Sequence, residues 1–420
     1  MAFDLVLICS ILLTTKWLTQ MVLERLNQKH VRAHAAAVPQ AFAGTVSPET
    51  YAKSIAYTLA KSRLEMVNLT WSAVLLALLL FSGALPWFFL VFQHAAGSSV
   101  WAGAAFLFTV GLALTVVDWP LEWYAQFHLE ERFGFNTSTA TTWWLDRAKG
   151  LLLGLVLGYP LLLLILKLAG NLGNLWWLWA WACLAVFQFV LMLAAPIWIM
   201  PLFNKFTPLP DGNLRDALLS LGKRAGFRAQ DIQVMDGSKR SRHSNAFFTG
   251  LGRFRKIVLF DTLVQQLDQA ELESVLAHEI GHYKKGHILK TIAFSLAGSL
   301  PIFFLVAVLV KADWFSRGFG FAPGNIVPVL LLISLLAGLV TFWLSPLLHF
   351  WSRRHEYEAD AYAAGLVKTF EPLIGALRRL NEKNLSNLTP HPAYSNFYYS
   401  HPTLLEREAA LIRSAKISPT

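Results

Sequence analysis

The sequence predicts an all-α polytopic membrane protein, with about seven transmembrane helices and a small cytoplasmic α/β insert. Of its 420 residues, 55% are hydrophobic and only 15% are charged, a composition too apolar for an ordinary soluble domain. The apolar residues are gathered into long runs, and most basic residues lie in alternate connections between those runs. One of these connections is long enough to fold as a unit of its own.

Seven apolar runs are long enough to cross a bilayer. Asp4 begins the first run and no small-residue cleavage site follows it, so we interpret this run as a retained helix. The predicted spans cover residues 5–22, 66–92, 101–121, 150–169, 175–203, 292–310 and 326–350. They divide the chain into a membrane part over 1–203, an insert over 204–290, two further spans over 291–350 and a tail over 351–420.

The distribution of Lys and Arg predicts the orientation, because these residues are retained on the cytoplasmic side of a membrane. Connections 94–100 and 171–174 contain neither, and connection 311–325 contains only Lys311 and Arg317. We therefore expect the N-terminus outside, and the insert and the tail in the cytoplasm. This topology explains the net charge of +10. A nucleic-acid partner is not expected, because no basic stripe with interleaved aromatic residues is present.

Residues 204–290 carry alternating signals for helix and strand. The predicted elements are a helix over 213–224, a strand over 232–235, and a hairpin whose strands, 245–249 and 256–260, flank Gly250-Leu251-Gly252. An extended peptide can add to an exposed strand through main-chain hydrogen bonds. Either the hairpin binds a substrate in this way, or it only supports the helix that follows.

That following segment contains the motif His278-Glu279-Ile280-Gly281-His282. Apolar residues recur at helical spacing around it, and Asp268 with Glu271 three residues later predicts the start of a helix. Residues four apart share a helix face, so both imidazoles can bind one ion while Glu279 lies beside them. This arrangement is typical of zinc hydrolases, in which the free carboxylate accepts a proton from water. The alternative is a chance pair of histidines on a polar face.

A third ligand is expected from the charged segment 352–360, which follows the seventh span. Two spans separate it from the HExxH motif, and an even number of crossings returns the chain to the same side of the membrane. Glu356 is therefore the candidate ligand, and Asp360, four residues later, can orient a ligand imidazole. Taken alone, such a segment is more often a solvated helix end, and the parity of the crossings favours a site.

Five motifs together resemble one known family. They are HEIGH at 278–282, SRRHEYEADAYA at 352–363, GSKRSRHSNAFF at 237–248, PLFNKFTPL at 201–209 and YSHPTLLER at 399–407. With these motifs and seven spans, the chain resembles the integral-membrane type I CAAX prenyl endopeptidases, which are zinc proteases of the gluzincin type. The resemblance covers nearly the whole chain.

The resemblance implies a metal site and its chemistry. One Zn²⁺ ion per chain would be bound by His278, His282 and Glu356. Glu279 would act as the general base, and Asp360 would support a ligand from behind. The family's helices enclose a water-filled chamber, with the active site towards the cytoplasm. The small insert is thus expected to be the zinc-protease part of the chain.

The resemblance also implies residues that contact the substrate. His401 and Arg407 match positions that face the reacting carbonyl, and the strand with Asn245, Ala246 and Phe247 matches the one that aligns the substrate backbone. Without the resemblance, His401 and Arg407 would be interpreted as the start of a tail helix. The short outer connections and the brief tail favour a bacterial inner-membrane protein.

Three functions are left open at this stage. The first is a zinc endopeptidase acting near the C-terminus of CAAX-type substrates, which can be prenylated. The second is a protease of the same architecture that degrades misfolded membrane proteins. The third is a transporter or scaffold, although the sequence lacks the repeat symmetry expected of a transporter. The expected partners are a peptide or protein substrate and the lipid bilayer, and the oligomeric state is left open.

Overall fold

The computed structural model describes residues 2–227, 231–249 and 256–417. Seven of its helices are long and apolar enough to cross a membrane, which confirms the predicted fold class. We number them spans 1 to 7: Asp4–Ala33, Pro48–Phe81, Val100–Phe133, Ala140–Asn171, Gly173–Phe203, His287–Val310 and Ile326–Val367. The sequence gives the correct number of spans, and the bounds of the helices differ from those of the apolar runs.

The second predicted span, 66–92, is wrong as a single helix. Span 2 ends at Phe81, and a separate short helix, Ala84–Ala96, follows it. Gly83 lies between them with a φ of 77°, a conformation that glycine adopts at little steric cost. Hydropathy joins the two helices because both are apolar, whereas the backbone leaves the helical conformation at the glycine.

Several spans extend beyond their apolar runs on one side of the membrane. Span 1 continues to Ala33, span 2 begins at Pro48, span 3 continues to Phe133 and span 7 continues to Val367. These polar ends cannot be recognised by hydropathy, because they leave the hydrocarbon. They surround the insert on the side where the chain carries its charged segments.

The insert contains a four-stranded sheet. Its strands are β1 Phe206–Pro208, β2 Asp231–Met235, β3 Ala246–Thr249 and β4 Lys256–Phe260, in the order β1-β2-β4-β3. Strand β4 pairs parallel with β2 and antiparallel with β3, as a hairpin requires. The predicted turn at 250–252 lies outside the described residues. The predicted helix is confirmed at Asn213–Arg224, and β1, with three residues, was not predicted.

A helix over Gln269–Lys284, here called the metal helix, carries the HExxH motif. Its start has the predicted capping box: Asp268 accepts from the Glu271 backbone N–H at 2.9 Å, and Glu271 accepts from that of Asp268 at 3.0 Å. Its apolar face, with Leu276 and Ile280, packs into the core formed by the sheet and its flanking helices. A short helix, Asp261–Gln266, lies between the hairpin and the metal helix. The expectation that the metal helix follows the hairpin directly is therefore wrong.

Span 7 crosses the metal helix at very close range. A Cβ atom built on Gly281 would lie 3.0 Å from the Cα and O atoms of Ala359, which is tighter than nine in ten real Cβ contacts. Ala359 itself is completely buried. Two small residues therefore set the separation of the helices, and the carboxylates on either side of Ala359, at 356 and 360, face the metal helix.

Three helices follow span 7: Glu371–Lys383, Pro392–Tyr398 and Leu404–Ile417. The last two are tied to the rest of the molecule by polar contacts. Arg353 of span 7 donates to the Tyr399 carbonyl at 2.8 Å, and Arg378 forms a bidentate pair with Glu408 at 2.6 and 2.8 Å. These contacts return the tail to the metal helix.

Candidate metal centre and active site

Three side chains that could hold a metal ion converge from two elements. The Nε2 atoms of His278 and His282, on the metal helix, lie 3.1 Å apart. Glu356 of span 7 places one carboxylate oxygen 3.5 Å from the first and the other 3.3 Å from the second. The three donor atoms all lie within 4.8 Å of one another. The structure thus brings together the three residues that the sequence predicted as ligands.

The chemistry of this cluster fits a divalent metal ion. Glu356 Oε2 is buried and has no hydrogen-bond partner among the described residues; His278 Nε2 and Arg407 Nη1 lie 3.5 and 3.7 Å away. A buried carboxylate oxygen without a hydrogen bond is costly, and a bound cation would compensate it. Two histidines and a carboxylate form the donor set of many catalytic zinc sites. The donors present therefore suit the metal that this motif predicts.

His278 contacts a second carboxylate through its other ring nitrogen. Its Nδ1 atom donates to Asp360 at 2.8 Å, and Arg407 donates to both oxygens of Asp360 at 2.8 and 2.5 Å. Burial lowers the pKa of His278, but the hydrogen bonds to Asp360 and Glu356 outweigh it and raise that pKa to about 9. The carboxylates around His278 thus favour a positive charge beside them, which is either a proton on His278 or a metal ion bound to the neutral imidazole.

Glu279 lies beside the ligands and belongs to a different environment. Burial raises its pKa above the ordinary value, and the nearby histidines oppose the shift. It lines a cavity of about 650 Å³ together with His282 and Phe247. A carboxyl group with a raised pKa is a stronger base, and this one faces open space.

His401 and Arg407 lie on the other side of Glu356. His401 Nε2 is 3.5 Å from Glu356 Oε1, and its side chain is 64% exposed. Arg407 is buried, and its Nη1 atom is 3.7 Å from Glu356 Oε2. Both residues border a second, polar cavity of about 920 Å³. His401 is therefore available to a bound molecule, whereas the Arg407 guanidinium is engaged by Asp360.

The predicted substrate strand lies next to this site. Strand β3 ends the order of the sheet, so one of its edges is not paired within it. Phe247 of β3 lines the same cavity as Glu279. The Asn245 side chain accepts from the Ala246 backbone N–H at 2.8 Å, and its carbonyl accepts from Phe260 N–H at 3.1 Å. Asn245 thus orders the start of the strand.

Two residues of the site were missed by sequence reasoning. His287 contacts His282, and Glu358 contacts His287. His287 stands five residues after the motif, and Glu358 stands two residues after Glu356. The recurrence of His and Glu at these short spacings was the available signal, and the spacing alone does not show which way either side chain points.

The fold and the site together define a class of protein. A multi-pass membrane protein that carries an HExxH helix, a carboxylate as the third candidate donor and a half-buried glutamate beside them has the arrangement of a membrane metallopeptidase. Residues 27–205 match the family model described as CAAX prenyl protease N-terminal, five membrane helices, and residues 208–415 match that of peptidase family M48.

Relatives and a solved structure agree with these matches. CAAX prenyl protease 1 of Saccharomyces cerevisiae is 39% identical over 89% of this chain and 88% of its own length. The CAAX prenyl protease 1 homolog of Homo sapiens is 31% identical, over 92% and 90%. The crystal structure of S. mikatae Ste24p covers 97% of this chain and 98% of its own, with a TM-score of 0.89 and 35% identity. The chain therefore belongs to the CAAX prenyl proteases of peptidase family M48, as its motifs predicted.

Proposed function

We propose that the chain is a zinc-dependent endopeptidase that cleaves CAAX-type substrates near their C-terminus. The observation that carries the proposal is the convergence of His278, His282 and Glu356 around the unpartnered oxygen of Glu356. These residues would hold one zinc ion per chain. When bound, zinc supplies Lewis-acid activation of water and of the scissile carbonyl.

Glu279 is the general base in this proposal. It takes a proton from the attacking water and later delivers one to the leaving amine. A general base works best when its pKa approaches the working pH, and burial shifts Glu279 in that direction. Its position in the 650 Å³ cavity, beside His282, leaves space for the peptide bond.

His401 is the proposed donor to the carbonyl oxygen as negative charge develops on it. It is exposed, and its Nε2 atom lies close to the metal donors, where such a donor must stand. Arg407 was expected to face the carbonyl as well. Its bidentate bond to Asp360 favours an indirect role, in which it holds Asp360 and, through it, His278.

The substrate is proposed to bind along β3 and into the apolar cavity beside it. An extended peptide can add to the open edge of β3. The cavity of about 650 Å³ is lined by apolar residues of two membrane spans, Phe189 and Met192 of span 5 and Ile288, Ile292 and Leu296 of span 6. These side chains offer a surface suited to an isoprenoid chain, which supports prenylated substrates.

The orientation follows from the basic connections. The insert, the polar ends of the spans and the tail share one side, which we assign to the cytoplasm by the retention of Lys and Arg there. The expected location in a bacterial inner membrane stays a prediction, and the relatives named above are eukaryotic.

The decisive test is cleavage of a farnesylated CAAX peptide by the purified protein in detergent. We expect cleavage that a chelator abolishes, that weakens with the unprenylated peptide, and that falls about 10²- to 10⁴-fold in Glu279→Gln, since a general base contributes that much. Glu279→Gln should retain its zinc, whereas His278→Ala should lose it.

Other outcomes would redirect the proposal. Zinc binding without cleavage of either peptide would move the substrate assignment to misfolded membrane proteins, tested with a destabilised membrane substrate. Zinc-free wild-type protein would contradict the metal site itself.

A further inference from the structure

His282 is supported by a chain of contacts that no motif assigns. Its Nε2 atom faces the other two candidate donors. When Nε2 binds a metal, the hydrogen of the neutral ring must lie on Nδ1. Nδ1 lies 2.9 Å from His287 Nδ1, with the two rings at 74°. His282 therefore donates, and His287 accepts through its own Nδ1.

The same reasoning fixes the hydrogen of His287. With Nδ1 as the acceptor, a neutral His287 ring carries its hydrogen on Nε2. Nε2 lies 3.2 Å from Glu358 Oε2, and a carboxylate accepts such a bond. Every hydrogen in the series from His282 through His287 to Glu358 thus has one assigned position, and each donor meets an acceptor.

The local structure explains why His287 points to the metal site. Gly286 has a φ of 68° and ends the metal helix, so the chain turns and span 6 begins at His287. His287 is 3% exposed, and its ring stacks on His355 of span 7 at 3.9 Å and 9°. The stack fixes the plane of the His287 ring, and the two hydrogen bonds fix the orientation of the ring within that plane.

We propose that His287 and Glu358 are positioning residues that fix the orientation and tautomer of His282 and thereby tighten metal binding. The inference rests on the metal site of the proposed function. Groups that hydrogen-bond to a metal-binding histidine typically contribute about 10- to 100-fold in affinity or activity. The Nδ1 atom of His278 contacts the carboxylate of Asp360 directly. The Nδ1 atom of His282 is connected to the carboxylate of Glu358 through the imidazole of His287.

The test is the zinc affinity of the full chain in detergent, measured by competition with a chromogenic chelator. His287→Phe keeps a ring for the stack on His355 and removes both hydrogen bonds. We expect about 10- to 100-fold weaker zinc binding, together with a changed absorption spectrum of the Co²⁺-substituted protein. His287→Asn retains an acceptor near the position of Nδ1 and should recover part of that loss.

Two matched variants separate positioning from packing. His355→Phe keeps the stack on His287. Arg354→Ala removes the exposed partner of Glu358, 3.4 Å away, and exposed pairs contribute little. We expect the zinc affinity of both variants to stay within about twofold of wild type. Glu358→Ala should weaken zinc binding more than Glu358→Gln, whose amide oxygen still accepts.

The proposal is overturned if His287→Phe folds, elutes as the wild type does and binds zinc with wild-type affinity. It is also overturned if His287→Asn binds zinc no better than His287→Phe. A wild-type protein that binds zinc but cleaves no CAAX peptide would contradict the proposed function alone, since the zinc affinities of the variants are measured without an activity assay. A wild-type protein that binds no zinc would contradict both.

Discussion

The side of the site proposed to hold the metal differs from the side proposed to face the substrate, and we call them the holding side and the facing side. On the holding side, His278, Glu356, Asp360 and Arg407 are all at least 92% buried and linked by ion pairs. On the facing side, His401 is largely exposed, and Glu279 and the edge of β3 border cavities. Changes on the holding side should therefore cost stability and metal together, whereas changes on the facing side should cost turnover alone.

The largest effect is expected for Asp360→Ala, on the holding side. It removes the bidentate partner of the buried Arg407 charge and leaves only the 3.7 Å contact with Glu356. Breaking a buried pair typically costs about 3–5 kcal/mol, and the change also removes the support of His278. We expect a clearly lower Tm and weaker zinc binding. The double variant Asp360→Ala/Arg407→Met removes both charges, so it should regain Tm without regaining zinc affinity. If the double variant regained both, the support of His278 would be unimportant.

A large effect on turnover alone is expected for His401→Phe, on the facing side. Loss of one donor to a developing oxyanion typically lowers kcat about 10²- to 10³-fold. Zinc content and Tm should change little, because the ring is 64% exposed and its contact with Glu356 is long, at 3.5 Å. Ser400→Ala is a milder control, since Ser400 only contacts His401 Nδ1 at 3.0 Å. A parallel loss of zinc would place His401 on the holding side.

A smaller effect is expected for Gly281→Ala, which tests how closely the metal helix and span 7 pack on the holding side. The added methyl group would meet the span 7 backbone at 3.0 Å, and overpacking of this kind typically costs about 1–3 kcal/mol. We expect lower Tm and weaker zinc binding, because Glu356 moves with span 7. Gly365→Ala, which lies on span 7 itself and has open space around it, should be neutral or slightly stabilising.

Sequence patterns predicted most of the elements and the three metal donors. Hydropathy gave the number of spans, and the capping residues Asp268 and Glu271 marked the start of the metal helix. Glu356 was placed near that helix by counting membrane crossings, and it lies 3.3 Å from His282. The elements and the position of Glu356 agree with the structure because each depends on a local preference or on the parity of crossings, and both can be obtained from the order of residues. That the three side chains bind a metal stays a prediction.

The tertiary structure decided the features that depend on contact between distant residues. The close approach of Gly281 to Ala359, the pairing of the three-residue β1 with β2, and the contacts of His287 with His282 and Glu358 belong to this group. Local propensity does not encode which faces of two helices meet. By itself, the sequence determined which residues are candidates for the chemistry, and the packing of span 7 on the metal helix decided how they are held.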